Sequence, residues 1–340
     1  MILALILFLL LGVSLLANFG QLMSGLTSLS PTRARTAGPR LEEVLTKDND
    51  SRNKVVVVPI EGVITSSRID GTAYNMVDVV KEQLRRAGRD KHVAAVVLKV
   101  DSPGGEVLAS DEIANAIRRF QDATDKPVVV SMGNLAASGG YYVSAPCRYI
   151  VANELTITGS IGVIMSGLNY RGLMDKVGLA PRVYKSGKFK DMLSGSRKPE
   201  DISPEEDAMV HKLIDEVYKK FKGVVAAGRK DANKANGSDG RPLARNWEEF
   251  ADGRVLSGKE AFNLGLVDEL GGMDDAVKRA LEIAGVSDAN VVEYRLVVDF
   301  ADLFRLFGQS EARAVKVDLG VDLPKLKGGQ PYFLYADYLY

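Results

Sequence analysis

The sequence has little of several residue types on which catalytic and structural sites often depend. Its 340 residues include one cysteine, Cys147, and two histidines, His92 and His211. A single cysteine excludes an intramolecular disulfide and a metal site built from clustered cysteines. Lys plus Arg equal Asp plus Glu, at 44 each, so the net charge gives no reason to expect nucleic acid or a strongly acidic partner. Two histidines also leave few imidazoles for acid–base chemistry.

Charge is also missing from the start of the chain, where the first charged side chain is Arg33. The apolar run over residues 1–26 fits a membrane-spanning helix. A cleaved signal peptide is the alternative, but no basic segment precedes the run and no small-x-small cleavage site stands at the expected place. We therefore expect an uncleaved N-terminal anchor over residues 1–26. Arg33, Arg35 and Arg40 follow it, a pattern that by itself favours a cytoplasmic side for the following domain.

The rest of the chain predicts one α/β domain with short appendages. Residues 27–53 contain many Ser, Thr, Arg and Asp residues, with Pro31, Gly38 and Pro39, and predict a flexible linker. From Lys54, β-branched runs alternate with segments of helical spacing, which predicts βαβ units and a mostly parallel sheet. We assign the domain to residues 54–288 and a C-terminal extension to residues 289–340. Predicted elements include strands over residues 93–100, 128–132, 149–152 and 181–184, and a long helix over residues 204–227.

The most informative stretch is a small-residue turn between a predicted strand and a predicted helix. Ser138 stands there between Ala137 and Gly139. A serine at such a corner presents its hydroxyl at the end of a sheet, and the N–H groups that open the helix are free to hold an anion. An acyl-transfer nucleophile needs this arrangement. The alternative is a tight turn that needs small residues only for packing.

A second corner follows the preceding predicted strand, at Asp101-Ser-Pro-Gly-Gly105. It places glycine N–H groups at the carboxyl edge of the sheet, where open α/β sheets bind ligands. Glycine there allows the backbone to approach a reacting carbonyl closely. A plain turn before a helix is the alternative for this motif alone, but two such corners in successive units are more specific than either.

A serine nucleophile needs a base. His92 precedes a strand at the end opposite the expected site, and His211 lies within a predicted helix, so we interpret both as surface or packing histidines. Lysine remains, but a lysine base near neutral pH needs its pKa lowered from about 10.4 to about 7–8, which burial and neighbouring cations favour. Lys185, Lys188 and Lys190 lie in one basic loop, and sequence chemistry alone does not choose among them.

Four motifs occur in a fixed order: Asp101-Ser-Pro-Gly-Gly105, Ala136-Ala-Ser-Gly-Gly-Tyr-Tyr142, Thr158-Gly-Ser-Ile-Gly162 and Ser186-Gly-Lys-Phe-Lys-Asp191. Together they resemble the bacterial signal peptide peptidase A (protease IV) family of serine–lysine peptidases. The similarity runs from about Lys54 to Ala284 and includes the N-terminal anchor. It implies a crotonase-like fold related to the Clp protease, with repeated ββα/βαβ units.

The resemblance also implies roles for individual residues. Ser138 matches the nucleophile of the family, and Lys190 matches its general base. Ser160 matches the serine that orients that base. The oxyanion donors fall at Gly139 and in the Gly104–Gly105 pair, of which we prefer Gly105. The family implies no metal and no organic cofactor.

Assembly is a further implication of the resemblance. A single set of these motifs in 340 residues fits the short form of the family. In that form, protomers assemble into a dome-shaped octameric ring, and adjacent subunits complete each active site. Ser138 and Lys190 can therefore meet across an interface rather than within one chain. The aromatic tail over residues 328–340 matches no motif. It either occupies a neighbour's groove, as C-termini can in this family, or is an undocked tail.

The resulting hypothesis is a single-pass cell-membrane serine endopeptidase with an extracytoplasmic catalytic domain. It would degrade cleaved signal peptides and other unfolded apolar peptides, with activity rising toward alkaline pH. One alternative is a crotonase-like acyl-CoA enzyme, because a Ser-Pro-Gly-Gly turn and an oxyanion hole also suit thioester enolates. The other is a catalytically inactive membrane scaffold. The anchor and the Ser138 corner argue against the first alternative, and the presence of both Ser138 and Lys190 argues against the second.

Overall fold

In the computed structural model, the structure describes Ser14 and residues 38–69, 72–297 and 331–334. The predicted anchor over residues 1–26 lies outside this part of the chain, Ser14 excepted. Among the described residues, no helix combines the length and apolar character needed to cross a membrane. The chain divides into two compact units after Gly38, and every strand and helix given below belongs to the second unit.

Eleven strands and seven α-helices lie within the described residues. The strands are β1 (Leu41–Lys47), β2 (Lys54–Glu61), β3 (Val93–Ser102), β4 (Gly104–Glu106), β5 (Val128–Ala137), β6 (Tyr149–Ala152), β7 (Ile157–Gly159), β8 (Val255–Ser257), β9 (Glu269–Leu270), β10 (Asn290–Leu296) and β11 (Tyr332–Leu334). The helices are α1 (Met76–Arg89), α2 (Val107–Thr124), α3 (Gly139–Ser144), α4 (Arg171–Lys176), α5 (Pro204–Asn236), α6 (Gly258–Asn263) and α7 (Met273–Ala284).

The central sheet has the strand order β1-β10-β2-β3-β5-β6-β9, with β7 and β8 branching from the end of β5. Strands β10, β2, β3, β5, β6 and β9 run parallel, and β1 is antiparallel to β10. The expected α/β fold with a mostly parallel sheet is therefore confirmed. β11 and β4 pair separately as a small antiparallel sheet.

Helices cover both faces of the sheet, which explains why its strands are apolar runs rather than alternating ones. In β2, Val56 and Val58 face the larger core with α1, α2, α3 and part of α5, whereas Val55 and Val57 face a smaller core with α7. Successive strand residues point to opposite faces, so four consecutive buried valines occupy two layers.

The sheet extends beyond the predicted domain boundaries. β1 lies within the predicted flexible linker and pairs with β10, which lies within the predicted C-terminal extension. For residues 41–47 the linker prediction is therefore wrong. β1 is an edge strand whose side chains are mostly solvent-exposed, so its sequence is polar and lacks the apolar pattern of the inner strands.

Two further predictions differ from the structure between β7 and β8. The strand predicted over residues 181–184 is not a strand, and that segment is exposed. The long helix begins at Pro204 as expected but continues to Asn236 rather than ending at residue 227. Its C-terminal third is tied to the core by a buried ion pair between Arg229 and Asp268, and Asp268 also accepts a hydrogen bond from the Ile150 N–H at 2.8 Å.

Candidate active site

Ser138 is the single residue between the end of β5 and the start of α3. Its backbone has φ +53° and ψ −114°, a conformation that a non-glycine residue adopts at a cost of about 1–3 kcal/mol. The turn is fixed by a 2.9 Å hydrogen bond from the Ser138 N–H to the Gly159 carbonyl. The residue is 1% exposed, and its hydroxyl forms no hydrogen bond with any described residue. It is thus a buried, strained serine whose hydroxyl remains available.

The second corner joins β3 to β4. The Ser102 hydroxyl donates to the Gly62 carbonyl at 2.6 Å and accepts from the Gly104 N–H at 3.1 Å. Ile64 then brackets β4, because its N–H donates to the Gly104 carbonyl at 2.8 Å and its own carbonyl accepts from Glu106 at 2.8 Å. These bonds fix the glycine pair at the edge of the sheet.

The two corners touch each other. A Cβ atom built on Gly104, where φ is +97°, would lie 2.5 Å from the Gly139 nitrogen, so only glycine allows this approach. The Gly104 N–H is already donated to Ser102, which favours Gly105 over Gly104 as an oxyanion donor. Gly139, the first residue of α3, has no acceptor for its N–H within the helix. Gly139 therefore follows Ser138 directly, and the Gly104–Gly105 pair reaches the site through the contact of Gly104 with Gly139.

Ser160 lies on the segment that supports Ser138. It follows Gly159, whose carbonyl holds the Ser138 N–H, and its own N–H donates to the Arg254 carbonyl at 2.7 Å. Its φ is +48° and it is 6% exposed. The hydroxyl of Ser160 forms no hydrogen bond with any described residue, so it is open to a lysine amine.

The candidate lysines differ in their partners. Lys185 pairs with Asp191 at 2.6 Å, and Lys188 pairs with Glu205. The Lys190 side chain is exposed and forms no hydrogen bond or ion pair within the described part of the chain. Its amine is also not joined to Ser138 by any described contact. The structure therefore brings together the two serines and the glycines, but leaves the lysine on a separate, exposed loop.

The histidines take no part in this site. Both His92 and His211 are exposed, so their interpretation as surface residues is confirmed. Among the described residues, no group of three or more His, Cys, Asp or Glu side chains is placed to hold a metal ion.

Sequence reasoning left the docking of the C-terminal tail open, and the structure resolves part of it. β11 pairs with β4 so that Phe333 lies opposite Gly105. On its other side, Tyr332 donates to the Ile164 carbonyl at 2.9 Å and accepts from the Ile164 N–H at 3.1 Å. This segment thus lies on its own chain, clamped between two extended segments beside Ser138. Only the short apolar run Tyr332-Phe-Leu-Tyr335 could have indicated a strand.

A cavity of about 580 Å³ adjoins this strand. Its wall includes Ser160 and Leu334, together with the aliphatic side chains of Val163, Ile164 and Val255. The cavity therefore combines apolar side chains with Ser160.

A free serine hydroxyl on a strained strand-to-helix turn, with backbone N–H groups aimed beside it, is the arrangement of a serine hydrolase that acts by acyl transfer.

Comparison with known proteins narrows this class. Residues 120–287 match the profile of peptidase family S49. The chain is 39% identical over 259 residues to an Enterococcus faecium protein provisionally named signal peptide peptidase SppA, covering 75% of this chain and 70% of that one. It is 36% identical over 294 residues to a protein of Synechocystis sp. provisionally named a protease, and the match covers 84% of this chain and 97% of that protein. Among solved structures, the 1510-N membrane-bound stomatin-specific protease is 16% identical with a TM-score of 0.42, covering 73% of this chain and all of that one.

The chain belongs to peptidase family S49 and is a serine peptidase. The resemblance drawn from the four motifs is thereby confirmed. Family membership favours the peptidase over the acyl-CoA enzyme considered as an alternative.

Proposed function

We propose that this protein is a membrane-anchored serine endopeptidase that cuts cleaved signal peptides and other unfolded apolar peptides with a Ser138–Lys190 dyad. The observation that supports this most strongly is β11. An extended segment is added as a strand beside the nucleophile, with its backbone paired on both sides. A peptide substrate bound in the same way needs a free, unfolded backbone.

In the proposed reaction, neutral Lys190 takes the proton of the Ser138 hydroxyl as the oxygen attacks the peptide carbonyl. The N–H groups of Gly139 and Gly105 stabilise the oxyanion, and Ser160 orients the lysine amine. The protonated lysine then gives its proton to the leaving amine. Water activated by Lys190 hydrolyses the acyl-enzyme and restores Ser138.

Apolar substrates suit the walls of this site. The cavity beside Ser160 and Leu334 is lined by aliphatic side chains, and Phe333 buries its whole side chain. Hydrophobic segments of spent signal peptides supply such side chains in an unfolded chain. The anchor proposed over residues 1–26 would hold the domain where these peptides are released.

A neighbouring subunit is the proposed source of the lysine. The segment around Lys190 exposes large apolar side chains, each more than half accessible: Leu168, Leu173, Val177, Leu179, Val183, Tyr184 and Leu193. Exposed apolar surface of this extent is typical of a protein–protein interface. In a ring of copies, covering this surface would carry Lys190 toward the Ser138 of another subunit.

Coexpression of two inactive full-length variants tests the proposal. Ser138→Ala and Lys190→Ala should each lose cleavage of an apolar signal-sequence peptide. The coexpressed mixture should regain roughly a quarter of wild-type activity, since a working site then needs one intact residue from each of two copies. His211→Ala, an exposed change on α5, is the control and should cut normally.

Normal activity in either single variant would contradict the dyad. A mixture that stays inactive, with both single variants inactive, would place the dyad within one chain and contradict the shared site. Cleavage of a folded protein as fast as the peptide would contradict the proposed substrate class.

A further inference from the structure

Glu106 stands at the start of α2 without capping that helix. It occupies the N-cap position, but its side chain accepts no hydrogen bond from the first turn of α2. The carboxylate turns instead to the loop that follows β2. One oxygen accepts from the Thr65 hydroxyl at 3.1 Å, and the other accepts from the Ser66 N–H at 2.9 Å and from the Ser66 hydroxyl at 2.5 Å. The described hydrogen bonds of this carboxylate therefore hold a loop and not the helix.

The loop over residues 62–66 is joined at both ends to the corner between β3 and β4. At its start, the Gly62 carbonyl accepts from the Ser102 hydroxyl at 2.6 Å. At its end, the Glu106 carboxylate accepts the three hydrogen bonds given above. Between these ends, Ile64 is fully buried. Two side chains of the corner thus hold the loop in place.

The backbone of this loop determines where the Gly105 N–H points. Ile64 pairs with Gly105 in a parallel bridge. In that bridge the Ile64 N–H donates to the Gly104 carbonyl, and the Ile64 carbonyl accepts from the Glu106 N–H, both at 2.8 Å. Because both bonds of Ile64 go to the neighbours of Gly105, the N–H and carbonyl of Gly105 itself point to the opposite edge of β4.

That opposite edge of β4 is the one beside Ser138. β11 pairs with it, and a Cβ atom built on Gly139 would lie 3.0 Å from the Phe333 carbonyl oxygen on β11. Gly139 directly follows Ser138 in the chain. The loop therefore orients the Gly105 N–H toward the candidate site from the far side of β4.

The direction of this N–H matters because an oxyanion donor acts only at hydrogen-bond distance. Donors must lie about 2.7–3.1 Å from the developing negative charge, and loss of one donor lowers kcat about 100- to 1,000-fold. Glycine has more conformational freedom than any other residue. The Gly105 N–H therefore keeps its direction through the bonds made by its neighbours.

We propose that Glu106 is a positioning residue for the peptidase reaction: by holding the loop over residues 62–66, it keeps the Gly105 N–H directed at the oxyanion. This inference rests on the proposed function, in which Gly105 is an oxyanion donor. The role is one of geometry and not of charge. A glutamine at this position can preserve the contacts, because its oxygen can accept from Ser66 and its nitrogen can donate to the Thr65 hydroxyl.

Variants of the full-length chain test this role in cleavage of an apolar signal-sequence peptide. Glu106→Ala should lower kcat roughly 10-fold or more and change KM less than about twofold, because the donor is needed mainly in the transition state. Glu106→Gln should retain at least about half of the wild-type kcat. Asp122→Ala, an exposed change near the other end of α2, is the control and should cut normally.

A peptide of the same sequence that ends in a boronic acid provides a second measurement, which reports on the oxyanion donors. The Ser138 oxygen adds to boron, its proton passes to the base, and the boron becomes a tetrahedral anion. Glu106→Ala should weaken this binding roughly 10-fold or more. When Ser138→Ala is also present, the uncleaved peptide should bind within about twofold with or without Glu106→Ala, as measured by fluorescence anisotropy.

The same bonds can be removed from the loop side. Thr65→Val combined with Ser66→Ala removes both hydroxyl donors and should also lower kcat and boronic-acid affinity. Adding Glu106→Ala to this loop variant should cause little further loss, because the carboxylate and the hydroxyls act through one contact. The loop variant carries the test if Glu106→Ala does not fold.

The outcomes separate this role from the proposed function. Unchanged kcat and boronic-acid affinity in Glu106→Ala and in the loop variant would overturn the positioning role and leave the proposed function intact. Equal losses in Glu106→Gln and Glu106→Ala, or an equal loss of binding to the uncleaved peptide, would overturn it as well. A wild-type chain that neither cuts the peptide nor binds the boronic acid through Ser138 would contradict the proposed function, and the positioning role with it.

Discussion

The backbone of Ser138 is strained, and its hydroxyl bonds to no described residue. A serine in the turn between β5 and α3 must hold φ at +53°, which glycine adopts without penalty and other residues do not. The same turn frees the hydroxyl and brings the Gly139 N–H beside Gly104. The stability lost at this residue is the consequence of placing a serine side chain where the backbone favours glycine.

Substitution at this position should separate strain from chemistry. Ser138→Gly should abolish cleavage yet raise the free energy of unfolding by about 1 kcal/mol, since relief of strain exceeds the added chain entropy of glycine. Ser138→Ala should abolish cleavage and leave stability near that of wild type, because it keeps the strained Cβ. Urea denaturation measures both. A Ser138→Gly protein less stable than Ser138→Ala would show that the turn is not strained.

At the residue scale, the sequence predicted those parts of the candidate site that depend on neighbouring residues in the chain. The small residues around Ser138 and the glycine pair predicted two corners, and the structure places them in contact. Residue type alone did not identify the general base, because Lys185, Lys188 and Lys190 differ only in the side chains with which they pair. Those partners, Asp191 and Glu205, become visible only in three dimensions.

The start of α5 anchors the loop that contains Lys190. Ser203 and Glu206 form a capping box, in which each side chain bonds the other residue's backbone N–H. Arg197, at the end of the basic loop, donates to Glu206 at 2.5 Å. The hydrogen bond from Arg197, together with those from Ser203, lowers the pKa of Glu206 to about 2. One carboxylate therefore joins the helix start to the loop.

This contact predicts a pH-dependent stability. Because the pKa of Glu206 is lower in the folded chain than its ordinary value of 4.5, its stabilisation is complete above about pH 4.5 and is lost as the pH falls toward 2. The Tm of Glu206→Gln should thus lie below that of wild type at pH 7, and the difference should vanish near pH 2. Glu205→Gln, a change in the exposed pair with Lys188, is the control. A difference that does not change with pH would contradict the linkage.

Elements were predicted best where they are long or buried. The inner strands and the start of α5 follow from β-branched runs and a capping sequence, which are local features. β1 and β11 were not predicted as strands of the domain. β1 pairs with β10 and β11 pairs with β4, and both partners are far away in the sequence. A short strand that is exposed or near a terminus has no hydrophobic pattern from which it could be predicted.

At the scale of the whole fold, the candidate site lies at one edge of the sheet. The parallel order β2-β3-β5 brings the carboxyl ends of β3 and β5 together, so the glycines that follow one strand lie near the serine that follows the other. α5 closes this edge with Phe221 and is held in the core by the Arg229–Asp268 pair. The lysine loop is the one predicted component that stands apart, which is why we propose a second copy as its source.

Covalent labelling tests the central claim most directly. A fluorophosphonate probe should add one phosphonyl group to the full-length wild-type chain, and peptide mapping should place it on Ser138. Lys190→Ala should be labelled about 100-fold or more slowly, since it lacks the base that activates the hydroxyl. Ser138→Ala should not be labelled. Labelling of another residue, or an unchanged rate in Lys190→Ala, would contradict the Ser138–Lys190 dyad.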